Sequence, residues 1–329
     1  MTRRPRITIL TPNPAIDVTY EVPEPALGRT NRVTAVSRRA GGKGLNVAAV
    51  LSRLGLACRV TGPLGGPAGQ ELRELLRHWD HQDGAAVIPA WVEVPHLTTR
   101  TTVTVIAQDG TATGLYEPGP TLGPADWEAL TRATLTDLRP GDVLAVCGSC
   151  PPGTGPEQLT GLLAGAGRRG ARTIVDTSGP LLVAAAAVCD VVTPNREELL
   201  AATGARSLHE GAQALLDSGA GAVVASDGPR GMVLLTSGGH APHPWYAPAP
   251  SVEVVNPTGA GDSAVAALAA ELLAHPPAPG SPVLQPRALA AAVALSASAV
   301  TTPVAGAVDL GLSNQLLSQI KVVPAHGTD

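Results

Sequence analysis

Short β-branched runs and longer amphipathic stretches alternate along most of this chain. "RITIL" (6–10) reads as a strand, and in "GLNVAAVLSRLG" (44–55) Val47, Val50, Leu51 and Leu54 share one face of a helix. "CRVTG" (58–62) predicts a strand and "GQELRELLRHW" (69–79) an amphipathic helix. The alternation resumes with a strand at 142–148, a helix within 156–169, and strands at 172–178 and 189–195. A helix from Glu197, another within 209–218, strands at 222–228 and 231–237, and helices at 262–274 and 286–300 complete it. Repeated strand–helix succession predicts an α/β fold, a doubly wound sheet with helices on both faces.

Two stretches break the rhythm. Residues 18–37 and 88–116 are strand-rich without helices between them, and "AQDGTA" (107–112) carries an Asp-Gly hairpin signal. Paired as a small second sheet, they predict a β-lid inserted in one α/β domain spanning 1–329. Such a lid covers the C-terminal ends of the core strands, where open α/β sheets bind ligands. An edge extension of the main sheet is the competing arrangement. The Pro-rich segments 242–250 and 276–286 read as surface connections.

Composition narrows the class. Hydrophobic residues make up 44% of the 329 and charged residues 15%, which describes a globular chain with a sizeable core. Aromatics are 2% with no Phe, so the core rests on Ala, Val and Leu, as suits a parallel sheet under Ala/Leu helices. A net charge of −4 gives no reason to expect nucleic acid or an anionic membrane as partner. The apolar runs at 181–189 and 288–295 are short of a membrane span, and "ITIL" after the basic opening is short of a secretory core. The expected location is the cytoplasm.

"CGSC" (147–150) ends a strand and runs into "PPG", which favours small residues at a strand end over a redox or zinc pair. The histidines of "HWDH" (78–81) and "HAPH" (240–243) read as solvated surface groups.

Five stretches carry candidate chemistry, each with a plainer rival. In "RRAGGKGLNVA" (38–48) glycines allow close backbone approach and Lys43 brings a charge to an anionic or polyhydroxylated ligand; the rival is a Gly-rich turn with a surface lysine. Asp17 follows the first strand and a Pro-rich turn, where a carboxylate accepts hydrogen bonds from sugar hydroxyls, or serves only the turn. Asn195 and Glu198 stand three apart at a helix start, as a capping box or as organisers of a magnesium–water shell. Ser226, Gly228 and Gly231 surround a turn that either offers N–H groups to phosphate or closes a hairpin. Finally, "NPTGAGD" (256–262) sets Gly259, Ala260 and Gly261 before Asp262. Asp262 is then a helix cap, or a base that takes a hydroxyl proton beside an anion hole. A cap needs no pair of glycines, and glycine costs conformational entropy, so the pair favours the second reading.

"NPAID", "GGKGLNVA", "CGSCPPG", "TPNREEL", "SDGPRG" and "NPTGAGDS" follow one another in the order found in the ribokinase-like carbohydrate kinases, the PfkB family. The resemblance runs from about residue 7 to 310 and is nearest to the branch that acts on hexose phosphates. It implies a three-layer αβα ribokinase-like fold with a small β-sheet lid, and a homodimer joined through that lid. It implies ATP- and Mg²⁺-dependent transfer of the γ-phosphoryl group to a ketohexose phosphate, first of all fructose 1-phosphate to fructose 1,6-bisphosphate. Fructose 6-phosphate, tagatose 6-phosphate or an unphosphorylated sugar is the alternative substrate. A catalytically weak sugar-phosphate sensor is the alternative from another class.

By the same resemblance Asp262 is the catalytic base, and Gly259, Ala260 and Gly261 form the anion hole. Asp17, Gly42, Lys43 and Asn46 match sugar-contacting positions; Arg100 and Ser149, with Arg32 as a further candidate, match the sites for the sugar's existing phosphate. Thr193, Asn195, Ser226, Asp227, Gly228, Gly231 and Thr258 fall on the nucleotide side, with Asn195 and Glu198 acting on magnesium through water. Three departures stand out. Thr193 replaces a lysine that contacts ATP phosphates, Thr102 replaces a sugar-binding asparagine, and "NPTGAGD" looks partly like the ribokinase side of the family.

Overall fold

The computed structural model describes residues 6–77, 79, 84–237 and 244–325. His78, His81, His240 and His243 lie outside them. The chain enters through β1 (Ile7–Leu10), leaves the core for β2 (Ala15–Val22) and β3 (Ala35–Gly41), and returns in α1 (Lys43–Arg53). β4 (Cys58–Thr61), β5 (Pro63–Leu64), α2 (Gly66–Arg77), β6 (Val87–Pro89) and β7 (Val92–Glu93) follow. A second excursion makes β8 (Arg100–Ala107) and β9 (Ala112–Tyr116). The core resumes with α3 (Pro124–Leu135), β10 (Val143–Cys147), α4 (Pro156–Gly167), β11 (Arg172–Asp176), α5 (Pro180–Ala186) and β12 (Val191–Val192). Next come α6 (Arg196–Thr203), α7 (Leu208–Asp217), β13 (Ala222–Ser226), β14 (Gly231–Thr236) and β15 (Trp245–Pro248). α8 (Ala260–Ala274), α9 (Pro286–Ala299), α10 (Leu310–Leu317) and β16 (Val323–Pro324) close the chain.

Among the described residues the main sheet runs β16-β15-β14-β13-β12-β11-β10-β1-β4-β6, parallel from β13 to β6 and antiparallel at the β14–β16 edge. Successive strand residues point to opposite faces, so a sheet covered on both sides must be apolar at every position. In β10, Val143, Ala145 and Cys147 join one buried layer, while Leu144 and Val146 join the other. Residues of α1, α8 and α9 complete the first layer; those of α3, α4, α5 and α7 complete the second. α8 packs between α1 and α9, and its alanines at 264, 266, 267 and 269 let it sit close to both. This is the doubly wound α/β architecture that the alternation predicts. No helix of the described residues is long and apolar enough to cross a membrane.

The two strand-rich stretches pair into a separate sheet of order β3-β2-β8-β9, parallel between β2 and β8 and antiparallel elsewhere. It leaves Val36, Leu115 and Tyr116 exposed. The four tryptophans, Trp79, Trp91, Trp127 and Trp245, all pack in or against the core layers of the α/β body.

Several local expectations are corrected. The Pro-rich stretch 242–250 contains β15, an antiparallel strand between β14 and β16 in which Pro248 is the last residue, past the two that pair with β16. The strand expected at 189–195 is only Val191–Val192, because Asp190 turns its carboxylate onto Arg172 and Thr173, and Pro194 follows closely. Helices α3, α5 and α10 are additional to the predicted set.

Candidate active site

Parallel strands deliver their following residues to one end of the sheet, and that end is where the candidate residues collect. Thr11 and Asn13 after β1, and Gly148 and Ser149 after β10, line a cleft of about 200 Å³ together with Lys43 and Arg100. Two other clefts, beside His275 and beside Asp190, are lined by charges already paired, Glu271 with Arg287 and Arg172 with Asp190.

Lys43 opens α1 behind Gly42, whose φ of 113° is one that a side chain would strain. Its ammonium lies 3.1 Å from Asp176 Oδ2 and 3.7 Å from Glu198 Oε1. Burial alone would weaken the charged form; the carboxylates of Asp176, Glu198 and Asp262 outweigh it and hold the lysine's pKa above its ordinary value. The ammonium, though its side chain is 41% exposed at the cleft, is thus paired with carboxylates of the site rather than free on the surface. Asp176 is a site residue that the motifs do not reveal. It ends β11 almost fully buried, and its importance arises only across the fold.

At the head of α8 the cap is Gly259 (φ 91°), followed by Ala260, Gly261 and Asp262. Asp262 thus stands in the first turn, not at the cap, which corrects the cap reading. Its Oδ2 accepts a hydrogen bond of 2.8 Å from Asn46 Nδ2. Burial, reinforced by the charge of Asp176, lifts the Asp262 carboxyl to about 7, against the lowering effects of Asn46 and Lys43. First-turn N–H groups have no acceptor within their own helix. A Cβ built on Gly261 meets nothing within 4 Å, so open space lies in front of that turn.

Asp17 sits in β2 directly beside Thr102 of β8 and accepts a hydrogen bond from its hydroxyl. Burial raises its pKa, opposed by Thr102 and by the charges of Arg100 and Arg39. Arg100 donates to the carbonyls of Asn13 and Glu117, each at 3.1 Å, which fixes its guanidinium at the cleft. Ser149 lines the same cleft. Arg32 does not join them: it lies in the exposed connection between β2 and β3.

On the other flank, Asn195 caps α6 and forms the reciprocal box with Glu198 at 2.8 and 3.0 Å. The cap and the site coexist, because the second Glu198 oxygen faces Lys43. Asn195 bridges Ser226 at the end of β13. Thr193 hydrogen-bonds back to the Val175 carbonyl through its N–H at 3.1 Å. Gly228 and Gly231 bound a tight turn between antiparallel strands, and a Cβ on Gly231 would come within 2.1 Å of the Ala247 carbonyl oxygen. Asp227 is engaged by Arg230 through two bonds of 2.7 Å and by Arg196 at 3.4 Å. Thr258 is exposed in the turn before α8, where its N–H donates to Asn256 Oδ1.

The cysteines contribute no reactive thiolate at neutral pH: all four are free, and burial pushes Cys150 up to about 11 and Cys58 and Cys189 up to about 12, with Cys147 well above its ordinary value.

Known proteins resemble this chain over most of its length. Residues 10–309 match the family described as pfkB family carbohydrate kinase. A 1-phosphofructokinase of Rhodobacter capsulatus is 40% identical over 273 residues, 80% of this chain and 82% of that protein. The 1-phosphofructokinase of Escherichia coli strain K12 is 33% identical over 274 residues, covering 82% and 84%. Among solved structures, phosphofructokinase-2 of Escherichia coli in complex with fructose-6-phosphate superimposes with a TM-score of 0.81 at 29% identity, over 95% of this chain and 98% of that one.

Proposed function

The chain belongs to the pfkB family of carbohydrate kinases, and from that premise we propose that it phosphorylates fructose 1-phosphate with ATP, giving fructose 1,6-bisphosphate. The observation that carries the substrate is the 40% identity to a 1-phosphofructokinase over most of both chains. In this reading Asp262 takes the proton of the acceptor hydroxyl. A carboxyl lifted to about 7 suits a base working near neutral pH, and Asn46 holds one of its oxygens so that the other faces the substrate. The N–H groups of Gly259, Ala260 and Gly261 stabilise charge on the phosphoryl group as it transfers. Lys43 adds positive charge beside it, kept in place by Asp176 and Glu198.

Arg100 and Ser149 hold the phosphate already on the sugar, and Asp17 accepts from sugar hydroxyls. Arg32, exposed and outside the cleft, is given no role. Thr193, Ser226, Gly228, Gly231 and Thr258 line the nucleotide side, whereas Asp227 fixes its turn through Arg230. Carboxylate and amide oxygens at Glu198 and Asn195 fit a hard cation's water shell, and these two residues would hold Mg²⁺. When bound, the ion supplies charge neutralisation on the nucleotide phosphates. The sheet β3-β2-β8-β9 acts as the lid over this end of the core, and its exposed apolar residues support a homodimer formed through it. A cytoplasmic location, where ATP and sugar phosphates occur, belongs to the same reading.

Purified protein with ATP and Mg²⁺ is offered fructose 1-phosphate, fructose 6-phosphate and tagatose 6-phosphate, with unphosphorylated sugars alongside. Highest kcat/KM on fructose 1-phosphate is expected. Turnover confined to unphosphorylated sugars overturns the branch, and tight sugar-phosphate binding without turnover replaces the kinase by a sensor.

A further inference from the structure

The geometry points to Thr102 as a positioning residue that orients the Asp17 carboxylate, and thereby sets how tightly the sugar is held. The inference rests on the reading of Asp17 as a sugar ligand. β2 and β8 run parallel with Asp17 and Thr102 in register, so the two side chains are fixed next to each other by the backbone ladder. Thr102 Oγ1 donates its proton to Asp17 Oδ1. On the neighbouring strand, Gly41 lies under the whole carboxylate: a Cβ there would come within 2.1 Å of Asp17 Cγ and Oδ2 and 2.3 Å of Oδ1. Asp17 is thus seated over a bare backbone on one side and tethered by one oxygen on the other. The one bond biases the carboxylate plane about its last torsion and leaves the other oxygen to accept from the sugar.

The tether has an electrostatic side as well. Buried carboxylates drift toward the neutral acid, which cannot accept in the same way. The Thr102 bond is the strongest influence opposing that drift, ahead of the charges of Arg100 on β8 and Arg39 on β3. The charge of Asp262 on α8 acts in the same field. A threonine is β-branched and stiff about its first torsion, so it makes this bond with little rotamer freedom to lose.

The test compares Thr102→Val, which keeps the shape and removes the proton, with Thr102→Ser, which keeps the proton. The assay uses whichever sugar the wild-type enzyme phosphorylates, so a wrong substrate assignment and a wrong positioning role give different results. Thr102→Val is expected to lose about 10–100-fold in kcat/KM for the sugar, the scale of a hydrogen bond to a charged group, with the change carried by KM. In sugar binding measured apart from turnover, whose acid limb belongs to Asp262, the pH at which affinity is lost moves upward, because Asp17 loses a bond that favours its charged form. Thr102→Ser restores both. In an Asp17→Asn background, Thr102→Val adds little. Unchanged KM and unchanged pH dependence of sugar binding in Thr102→Val, or full additivity with Asp17→Asn, overturns the proposal. A Thr102→Val protein that does not fold leaves Thr102→Ala, read in the same cycle, to decide it.

Discussion

Asp262 is held where a carboxylate is least comfortable, and this has two measurable consequences. Asp262→Asn is expected to lower turnover by roughly 10²–10⁴-fold, the range for loss of a general base. The same change should raise thermal stability. Folded Asp262 titrates near 7 and an unfolded aspartate near 3.9, so the folded state binds the extra proton between those values. Wild-type stability therefore falls as pH rises through that window, and a neutral asparagine escapes the loss. The gap in Tm between Asp262→Asn and wild type should widen from pH 4 to pH 7; a constant gap would show that the carboxylate carries no such cost. Asn46 supplies a separate handle on the same group. Asn46→Ala removes a bond that favours the charged form, so the acid limb of kcat/KM should move upward in pH, beyond any loss of rate. A limb that stays in place would remove Asn46 from the control of Asp262.

At the scale of elements, the site is assembled from helix beginnings. Lys43 opens α1, Glu198 lies in the first turn of α6, and Asp262 in the first turn of α8. The glycines at these points differ in what demands them. Gly259 is required by its own backbone, with φ at 91° and Gly306 N 3.1 Å from where a Cβ would stand. Gly261 has helical neighbours and open space, so the protein's packing asks nothing of it. Gly261→Ala is therefore expected to fold with equal or greater stability, by up to about 1 kcal/mol from helix propensity. Its kcat/KM should drop if, as proposed, this turn binds the phosphoryl group, since the methyl fills the space in front of it. Activity at the wild-type level in Gly261→Ala would place the phosphoryl group elsewhere. These helix starts were legible as motifs because capping and anion binding use the same residue types. α3 was not, since its buried Thr134 interrupts the apolar face, and α5 and α10 are too short for a period to declare itself. Asp176 escaped for another reason: nothing local marks it, and its partner Lys43 is 133 residues away.

Across the whole molecule, strand–helix alternation was readable because a doubly covered parallel sheet leaves continuous apolar runs. The edge was harder. β15 is written in prolines and aromatics; it lies one strand in from the edge, and Pro248 is accepted because β16 pairs only with Trp245 and Tyr246. The separate sheet presents Val36, Leu115 and Tyr116 to solvent. Leu115→Lys combined with Val36→Lys should convert the proposed dimer to a monomer in light scattering, with the α/β core intact. Persistence of the dimer would place the contact on another face. Finally, the four tryptophans all belong to the α/β body, while Tyr20 and Tyr116 lie on β2 and β9. Intrinsic tryptophan emission will therefore follow melting of the body and stay largely silent to any movement of the smaller sheet. A tryptophan introduced by Tyr116→Trp, at the mouth of the cleft, would give that sheet an optical signal of its own.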